Sequence, residues 1–234
     1  MPSNKVAVVT GSNSGLGKEI ALFLAAEGFN LVISGRDKKT LESVKKEIGK
    51  NKVSSIVVEG DITKKETREN LLSSAMKLGH PDILVNNAGI LLEKPFEETS
   101  EEEIENTMDI NAISHIKLAK LFYSQMKKQK SGKIVNIVSI NAINPRENIT
   151  IYGAAKGAMK SFTETLRFEA NRHGIQVFGV YPGGMKTGLF EKAGLQKDTS
   201  KLMDPKEVAE TIISVIKSQK ESTSDIFFTG RNSS

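Results

Sequence analysis

The most informative segment of this chain is Thr10-Gly11-Ser12-Asn13-Ser14-Gly15-Leu16-Gly17. It follows a short apolar run rich in valine and precedes a segment with apolar residues at helical spacing, so it connects a strand to a helix. Glycines at such a connection let the backbone approach a phosphate group at the N-terminus of the helix. The stretch therefore indicates a phosphate cradle, although glycine also serves any tight turn between a strand and a helix.

Beyond this stretch, strand-like runs rich in valine and isoleucine alternate with segments of helical periodicity. Such alternation favours a parallel sheet with helices on both faces. We therefore predict an α/β fold, a Rossmann-type doubly wound parallel sheet of seven strands, with residues 1–234 forming a single domain. The predicted strands cover residues 6–10, 30–34, 53–59, 82–86, 133–138, 176–181 and 225–229.

Three of the segments between the strands bear on a site. Two long helices are predicted over residues 101–130 and 151–172. A last helix carries its own start signal, with Asp204 as the N-cap, Pro205 in the first turn and Glu207 three residues after the cap. Residues 183–203 lack clear periodicity before that helix and are predicted to form a mobile loop over a site.

Unusual residues come directly after each of the first six predicted strands. In an open α/β sheet, the carboxyl ends of the strands form the crevice in which ligands bind, so we expect these residues to meet in one site. They are Gly11, Gly35-Arg36, Asp61, Asn87-Ala88-Gly89, Ser139 and Pro182-Gly183-Gly184.

Three motifs resemble those of the short-chain dehydrogenase/reductase family over nearly the whole chain: the glycine spacing G-x-x-x-G-x-G, the segment Asn86-Asn87-Ala88-Gly89 and the pair Tyr152-x-x-x-Lys156. The resemblance implies an oxidoreductase that interconverts a carbonyl and an alcohol with a nicotinamide dinucleotide. It also implies that Asp61 caps the adenine and that Thr187 contacts the nicotinamide amide. The residues expected to bind the cofactor are Gly11, Ser12, Asn13, Ser14, Gly15, Leu16, Gly17, Arg36, Asp61, Ile62, Asn87, Ala88, Gly89, Tyr152, Lys156, Pro182, Gly183 and Thr187.

The end of the second predicted strand bears on the choice between NADP and NAD. An acid there would accept hydrogen bonds from a ribose 2′-hydroxyl, whereas a cation would pair with a 2′-phosphate. That position is Gly35. The next residue is Arg36, whose planar guanidinium group can donate two parallel hydrogen bonds to a phosphate. Asp37 more naturally caps the following helix. We therefore expect NADP (NADPH) rather than NAD, with a surface arginine as the alternative interpretation of Arg36.

Catalysis is expected at Tyr152 and Lys156, which lie four residues apart and therefore share one face of a predicted helix. A lysine ammonium about 4 Å from a phenol contributes roughly 4 kcal/mol at an effective dielectric constant of 20, enough to lower the tyrosine pKa before desolvation opposes it. Tyr123 and Lys127 have the same spacing. We interpret that second pair as a packed tyrosine and a solvated amine, because it lies well inside a long helix.

Two further catalytic residues are expected. Ser139 closes the fifth predicted strand and would donate a hydrogen bond to the substrate oxygen. By the family resemblance, Asn111 corresponds to an asparagine that holds a water relaying protons to the lysine. Asn106 lies in the same predicted helix, and either asparagine could instead be exposed.

Composition excludes several other classes of protein. The chain has no cysteine, which removes disulfides and thiolate sites, and we expect no metal because His80, His115 and His173 lie far apart, at helix ends or surfaces. The net charge of +5 is spread over many predicted helices, which favours solvated faces over nucleic-acid binding. No apolar run is long enough for a membrane span or a signal peptide, so the expected location is the cytoplasm.

Substrate choice is predicted to depend on residues 90–99, 140–151 and 184–203. They contain apolar residues and Arg146, which could recognise an acidic group or simply be exposed. Parts of the chain, including Arg172, look like 3-oxoacyl-carrier-protein reductases. Separately, the family resemblance implies that the protein forms a homodimer or homotetramer. The alternatives are an NAD-dependent alcohol dehydrogenase of the same family and a catalytically silent NADP-binding sensor. The apolar residues expected in the three substrate segments are Leu91, Leu92, Ile143, Met185, Leu189 and Phe190.

Overall fold

A computed structural model describes residues 5–218 and 225–228, where seven strands form one parallel sheet in the order β3-β2-β1-β4-β5-β6-β7. The predicted fold class is confirmed; Thr229, placed in the last predicted strand, lies outside the described residues. The strands are β1 (Lys5–Thr10), β2 (Asn30–Gly35), β3 (Ser55–Glu59), β4 (His80–Asn86), β5 (Gly132–Ile137), β6 (Ile175–Tyr181) and β7 (Asp225–Phe227).

Helices cover both faces of the sheet, which is why the central strands are apolar on both sides. In β1, Ala7 and Val9 pack with α1, α2 and α8, whereas Val6 and Val8 pack with the other face, where α3, α5 and α6 lie. The helices are α1 (Gly15–Ala26), α2 (Lys38–Gly49), α3 (Lys65–Leu78), α4 (Glu101–Met108), α5 (Ser114–Gln129), α6 (Thr150–Asn171), α7 (Leu189–Lys192) and α8 (Pro205–Lys217).

The strand order leaves a crevice beside β1. From β1 the chain builds outward to β2 and β3 on one side and then returns to β4 on the other. Connections that diverge from one point in this way leave space outside the carboxyl ends of the strands, where ligands bind in such sheets. The fold therefore provides the crevice that the residues after each strand predict.

The helix predicted over residues 101–130 is not continuous. A π-helical segment, Asp109–Ile113, separates α4 from α5 and contains Asn111. The Asn111 side chain donates to the Thr107 carbonyl at 3.0 Å and accepts from the Ile90 N–H at 3.2 Å. The side chain thus ties the π-helical segment to the chain that follows β4. Periodicity could not reveal this break, because helical periodicity continues in α5, which packs on the sheet, while α4 packs against α6.

Residues 183–203 cross the carboxyl end of the sheet as a segment with fixed ends. Met185 and Met203 form an isolated bridge, and the Met203 N–H donates to the Gly184 carbonyl at 3.2 Å. The segment contains the short helix α7, and its mobility stays a prediction. It leads into α8, which begins as predicted at Pro205 with Asp204 as N-cap, the Asp204 carboxylate accepting from the Lys206 N–H at 2.8 Å.

No helix within residues 5–218 or 225–228 combines the length and the apolar character needed to cross a membrane.

Candidate functional site

A cavity of about 460 Å³ lies at the carboxyl ends of the strands, with residues 183–203 over it. Residues that follow each of the first six strands line it together, as the sequence predicts. Every predicted site residue except Ser12 is among the lining residues: Gly11, Asn13, Ser14, Gly15, Leu16, Gly17, Arg36, Asp61, Ile62, Asn87, Ala88, Gly89, Asn111, Ser139, Tyr152, Lys156, Pro182, Gly183 and Thr187.

Ser12 is turned into the protein instead of into the cavity. It is fully buried, its N–H donates to the Ser34 carbonyl at 2.8 Å, and its hydroxyl donates to the Val9 carbonyl at 2.5 Å. Its N–H therefore joins the end of β1 to β2, and its hydroxyl is used within the chain at the end of β1. Ser12 thus does not line the cavity, unlike the other residues expected to bind the cofactor, and its contact with a cofactor stays a prediction.

The glycine-rich stretch forms an open helix N-terminus beside the cavity. The N-cap residue of α1, Ser14, makes no capping hydrogen bond through its side chain, which instead accepts from Lys192 Nζ at 3.5 Å. The N–H groups of the first turn therefore have no acceptor from the N-cap side chain. A Cβ atom at Gly17 would lie 2.3 Å from Asn87 Nδ2 and 2.4 Å from the Gly11 carbonyl oxygen, so glycine is required there. The uncapped N–H groups and the bare backbone fit a pyrophosphate, which is the group that a nicotinamide dinucleotide would place here.

The segment after β4 braces this cradle. Asn87 Nδ2 donates to the Thr10 and Gly11 carbonyls at 2.8 and 3.2 Å. The Thr10 hydroxyl accepts from the N–H groups of Asn87 and Ala88 at 2.9 and 3.1 Å. The sequence places Thr10 in the glycine-rich stretch but does not indicate this bracing role, although its place at the end of the first strand, directly before Gly11, could have done so.

The end of β2 carries the features that bear on the cofactor's ribose. Arg36 is exposed and lines the cavity, and none of the ion pairs formed among the described residues involves it. Asp37 caps α2 as expected, accepting from the Thr40 N–H at 3.2 Å, and this backbone hydrogen bond lowers the pKa of its carboxyl group. A Cβ atom at Gly35 would lie 2.9 Å from Asn13 Oδ1. An acidic side chain at position 35 would therefore have to displace Asn13.

The predicted catalytic side chains meet at the opposite wall of the cavity and are all buried. Tyr152 and Lys156 lie on α6, with Lys156 Nζ 5.7 Å from the centre of the Tyr152 ring and 3.0 Å from the Ile137 carbonyl oxygen, to which it donates. Ser139 lies after β5, and its hydroxyl oxygen accepts from the Asn141 N–H at 3.1 Å. This contact uses only the hydroxyl oxygen, so the Ser139 proton can be donated to a group in the cavity, and Tyr152 is one such group.

Burial controls the ionisation of Tyr152 and Lys156. It raises the pKa of Tyr152, while a hydrogen bond from Ser139 and the charge of Arg146 oppose that rise. It lowers the pKa of Lys156 to about 8. The pKa of Tyr152 is therefore not lowered in the protein alone, because desolvation outweighs the effects that oppose it and because the Lys156 ammonium donates to the Ile137 carbonyl.

His115 lies at the start of α5, as expected for a helix end, but it is not at the surface. It is fully buried on α5, and neither ring nitrogen forms a hydrogen bond within the described part of the chain. Burial and then the charge of Lys156 lower its pKa to about 3, while the Ala88 backbone acts in the opposite direction without forming a well-aligned hydrogen bond. His115 follows Asn111 by four residues, and that spacing could have indicated a shared face.

The described residues contain no group of three or more histidine, cysteine, aspartate or glutamate side chains that could hold a metal ion. On the substrate side, Leu92 and Ile143 do not line the cavity, and Ile143 is exposed, unlike the other apolar residues expected there. Those that line it are Leu91, Met185, Leu189 and Phe190.

Comparison with known proteins identifies the family. A family model described as short chain dehydrogenase matches residues 5–198. An uncharacterized oxidoreductase of Staphylococcus saprophyticus is 36% identical over 214 residues, which cover 90% of this chain and 90% of that protein. An alcohol dehydrogenase from the archaeon Thermococcus sibiricus, complexed with 5-hydroxy-NADP, is 26% identical with a TM-score of 0.86, covering 96% of this chain and 95% of that chain.

A further solved structure, NAD+-bound xylitol dehydrogenase, is similar in fold. It is 24% identical with a TM-score of 0.88, covering 98% of this chain and 99% of that chain. Structures of this shape thus include proteins bound to either form of the nicotinamide cofactor, and the fold does not distinguish the two.

Proposed function

The chain belongs to the short-chain dehydrogenase family, and from this premise we propose that it is an NADP-dependent oxidoreductase that interconverts a carbonyl and an alcohol. One observation carries the proposal: Ser139, Tyr152 and Lys156 line the same cavity as the uncapped N-terminus of α1. A dinucleotide bound by its pyrophosphate at α1 could extend along that cavity to the buried phenol.

The chemistry divides between the cofactor and the protein. When bound, the nicotinamide cofactor supplies or accepts the hydride at the substrate carbon. In the reducing direction, the Ser139 hydroxyl donates a hydrogen bond to the substrate carbonyl oxygen and fixes its position. The Tyr152 hydroxyl donates its proton to the same oxygen as negative charge develops there.

Lys156 assists that proton transfer through its charge. Its ammonium lies beside the Tyr152 ring and favours the phenolate that remains after the proton has left. Because burial raises the pKa of Tyr152, the phenol stays protonated at neutral pH and can act as the acid. The Asn111 amide holds the chain after β4, and its role in relaying protons to Lys156 is part of this proposal.

The choice of NADP rests on the end of β2. The guanidinium group of Arg36 lines the cavity, and the Asp37 carboxylate caps α2 by accepting a hydrogen bond from the Thr40 N–H. Asn13 fills the space that an acid at position 35 would need. A 2′-phosphate would gain charge-assisted hydrogen bonds from Arg36 that a 2′-hydroxyl cannot form as strongly.

A panel of ketones, aldehydes and 3-oxoacyl thioesters tests the proposal, with loss of NADPH and NADH absorbance as the measurement. Acyl thioesters are included because parts of the sequence are similar to 3-oxoacyl-carrier-protein reductases. We expect carbonyl-dependent oxidation of NADPH, with kcat/KM for NADPH roughly tenfold or more above that for NADH. Cofactor binding without turnover of any carbonyl would favour the silent sensor.

Arg36→Asp tests the cofactor assignment within the same experiment. We expect it to remove most of the preference for NADPH, because it replaces the cation with a charge that repels the 2′-phosphate. Arg172→Asp is the matched control, since Arg172 is exposed at the end of α6 and does not line the cavity. Tighter binding of NADH by the wild-type protein, or an unchanged preference in Arg36→Asp, would contradict the assignment.

A further inference from the structure

Three segments on the substrate side of the cavity meet at one carboxylate. Glu93 follows β4, Arg146 lies between β5 and α6, and Lys197 lies between β6 and α8. The Arg146 guanidinium donates to the two Glu93 oxygens at 3.3 and 2.7 Å, which is the paired geometry of an arginine with a carboxylate. Lys197 Nζ donates to both Glu93 oxygens at 2.9 Å.

The two cations face the cavity, and the carboxylate lies behind them. Arg146 and Lys197 are among the residues that line the cavity, whereas Glu93 is not. The side chains of Arg146 and Lys197 are 42% and 32% exposed, and that of Glu93 is 15% exposed. Within this cluster, two positive charges and one negative charge leave a surplus of one positive charge. Asp198 also lines the cavity, and its carboxylate accepts from the Ser200 N–H at 2.8 Å.

Glu93 is ionised, so the surplus is a single charge and not two. Burial acts to raise the pKa of Glu93, but hydrogen bonds from Lys197 and Arg146 outweigh it and hold the pKa below its usual range. A cluster with this arrangement fixes the two cations in position while leaving donors that Glu93 does not use.

This wall is electrostatically connected to the reactive phenol. The charge of Arg146 acts on Tyr152, lowering its pKa against the effect of burial. Apolar side chains complete the wall, and Lys197 Nζ lies 5.1 Å from the centre of the Phe190 ring. A ligand reaching from Tyr152 to Arg146 would therefore meet an apolar surface that ends in two cations.

We propose that the substrate of the oxidoreductase function proposed above carries an anionic group, which binds Arg146 and Lys197 while its carbonyl lies at Ser139 and Tyr152. A carboxylate or a phosphate would accept hydrogen bonds from both cations and neutralise the surplus charge. The inference rests on the proposed function, because it assigns the substrate class of the same site.

Matched pairs of substrates test this inference with NADPH and the purified protein. One set comprises oxo carboxylates with one to four carbons between the carbonyl and the carboxylate, each compared with its methyl ester. A second set compares hydroxyacetone phosphate with hydroxyacetone, which separates phosphate from carboxylate as the anion. We expect at least one anionic substrate to exceed its neutral counterpart roughly tenfold or more in kcat/KM.

Arg146→Met and Lys197→Met locate the preference. Each should lower kcat/KM for the preferred anion roughly ten- to hundredfold, mainly through KM. Lys197→Met should leave the neutral counterpart within about twofold. Arg146→Met also removes a charge that acts on Tyr152, so it should lower kcat/KM for the neutral counterpart as well, but by much less than for the anion. Retained activity on the neutral substrate also shows that the variant is folded. Lys201→Met is the matched control, since Lys201 is exposed on the same segment and does not line the cavity.

Equal turnover of the acids and their esters by the wild-type protein would overturn the inference and leave the proposed function intact. An equal loss for acid and ester in Arg146→Met would overturn it as well, since the cluster would then only hold the three segments together. If no carbonyl compound of either set or of the wider panel is reduced, the proposed function itself fails, and this inference fails with it.

Discussion

The protein contains two tyrosine and lysine pairs with the same spacing, one on α6 and one on α5. On α6, Tyr152 and Lys156 are both buried and line the cavity. On α5, Tyr123 is half-buried, Lys127 is exposed, and neither residue lines the cavity. The spacing of four residues places each pair on one helical face, but only the pair at the carboxyl ends of the strands faces a ligand site.

Each pair also has a histidine nearby, and the two histidines differ in the same way. His115 is fully buried, and the charge of Lys156 reaches it. His173 is partly exposed, and its ring meets the Tyr123 ring edge to face at 6.2 Å. The comparison shows that a motif acquires its chemistry from burial and from its place on the sheet.

The largest effect is expected when the tyrosine of each pair is replaced by phenylalanine. We expect Tyr152→Phe to lower kcat for carbonyl reduction roughly a thousandfold or more, because it removes the proton donor, and to leave NADPH binding nearly unchanged. Tyr123→Phe should keep kcat within about twofold. Steady-state kinetics with a cofactor-binding titration measures both effects, and substantial turnover by Tyr152→Phe would refute the role given to Tyr152.

Replacing each lysine should give a smaller effect with a characteristic pH dependence. Burial lowers the pKa of Lys156 to about 8, so the wild-type kcat/KM for reduction should fall as the pH rises through about 8 and the ammonium is lost. Lys156→Met should lower kcat roughly a hundredfold and abolish that alkaline limb, whereas Lys127→Met should retain both the rate and the limb.

A Lys156→Met profile that still fell near pH 8 would assign the limb to another group. The two profiles need the same carbonyl substrate and the same cofactor concentration, so that binding does not enter the comparison.

Replacing each histidine should affect the stability of the protein more than its turnover. The folded-state pKa of His115 is about 3, below the usual value of 6.5, so the unfolded chain takes up a proton there first as the pH falls. The contribution of His115 therefore leaves the free energy of unfolding at its maximum above pH 6.5. Below pH 6.5 it lowers the free energy of unfolding by roughly 1 kcal/mol per pH unit, until the pH reaches the folded-state pKa.

His115→Leu should remove this decline and be neutral or slightly stabilising at pH 7, because it replaces two unpaired ring nitrogens with an apolar side chain. His173→Leu should leave the slope unchanged. Urea denaturation from pH 7 to pH 4 measures both variants. A wild-type slope that persists in His115→Leu would show that other groups cause the acid sensitivity.

The sequence was sufficient for the sheet and for the convergence of the strand ends. Alternating strand and helix patterns predict a parallel sheet, and parallel strands bring their carboxyl ends together whatever the details of packing. Gly17 illustrates why the cradle could be predicted, since its lack of a side chain is visible in the sequence and required by the contact with Asn87.

Features that depend on side-chain direction or on desolvation could not be predicted. Ser12 belongs to the glycine-rich stretch, yet its hydroxyl turns inward to the Val9 carbonyl. The pKa of Tyr152 depends on a balance between burial and nearby donors, and a spacing of four residues does not determine that balance. Glu93 joins Arg146 and Lys197 across 53 and 104 residues of sequence, a separation that no local pattern records.

The π-helical segment at Asp109–Ile113 sets the rotational phase between α4 and α5. A π-turn takes in one residue more than an α-turn, and one residue corresponds to about 100° of rotation in an α-helix. The extra residue uncouples the two helices, so each can keep its own apolar stripe on the protein interior. Asn111 can therefore reach the chain after β4 and His115 can lie buried by Lys156, without turning Phe122 out of the core.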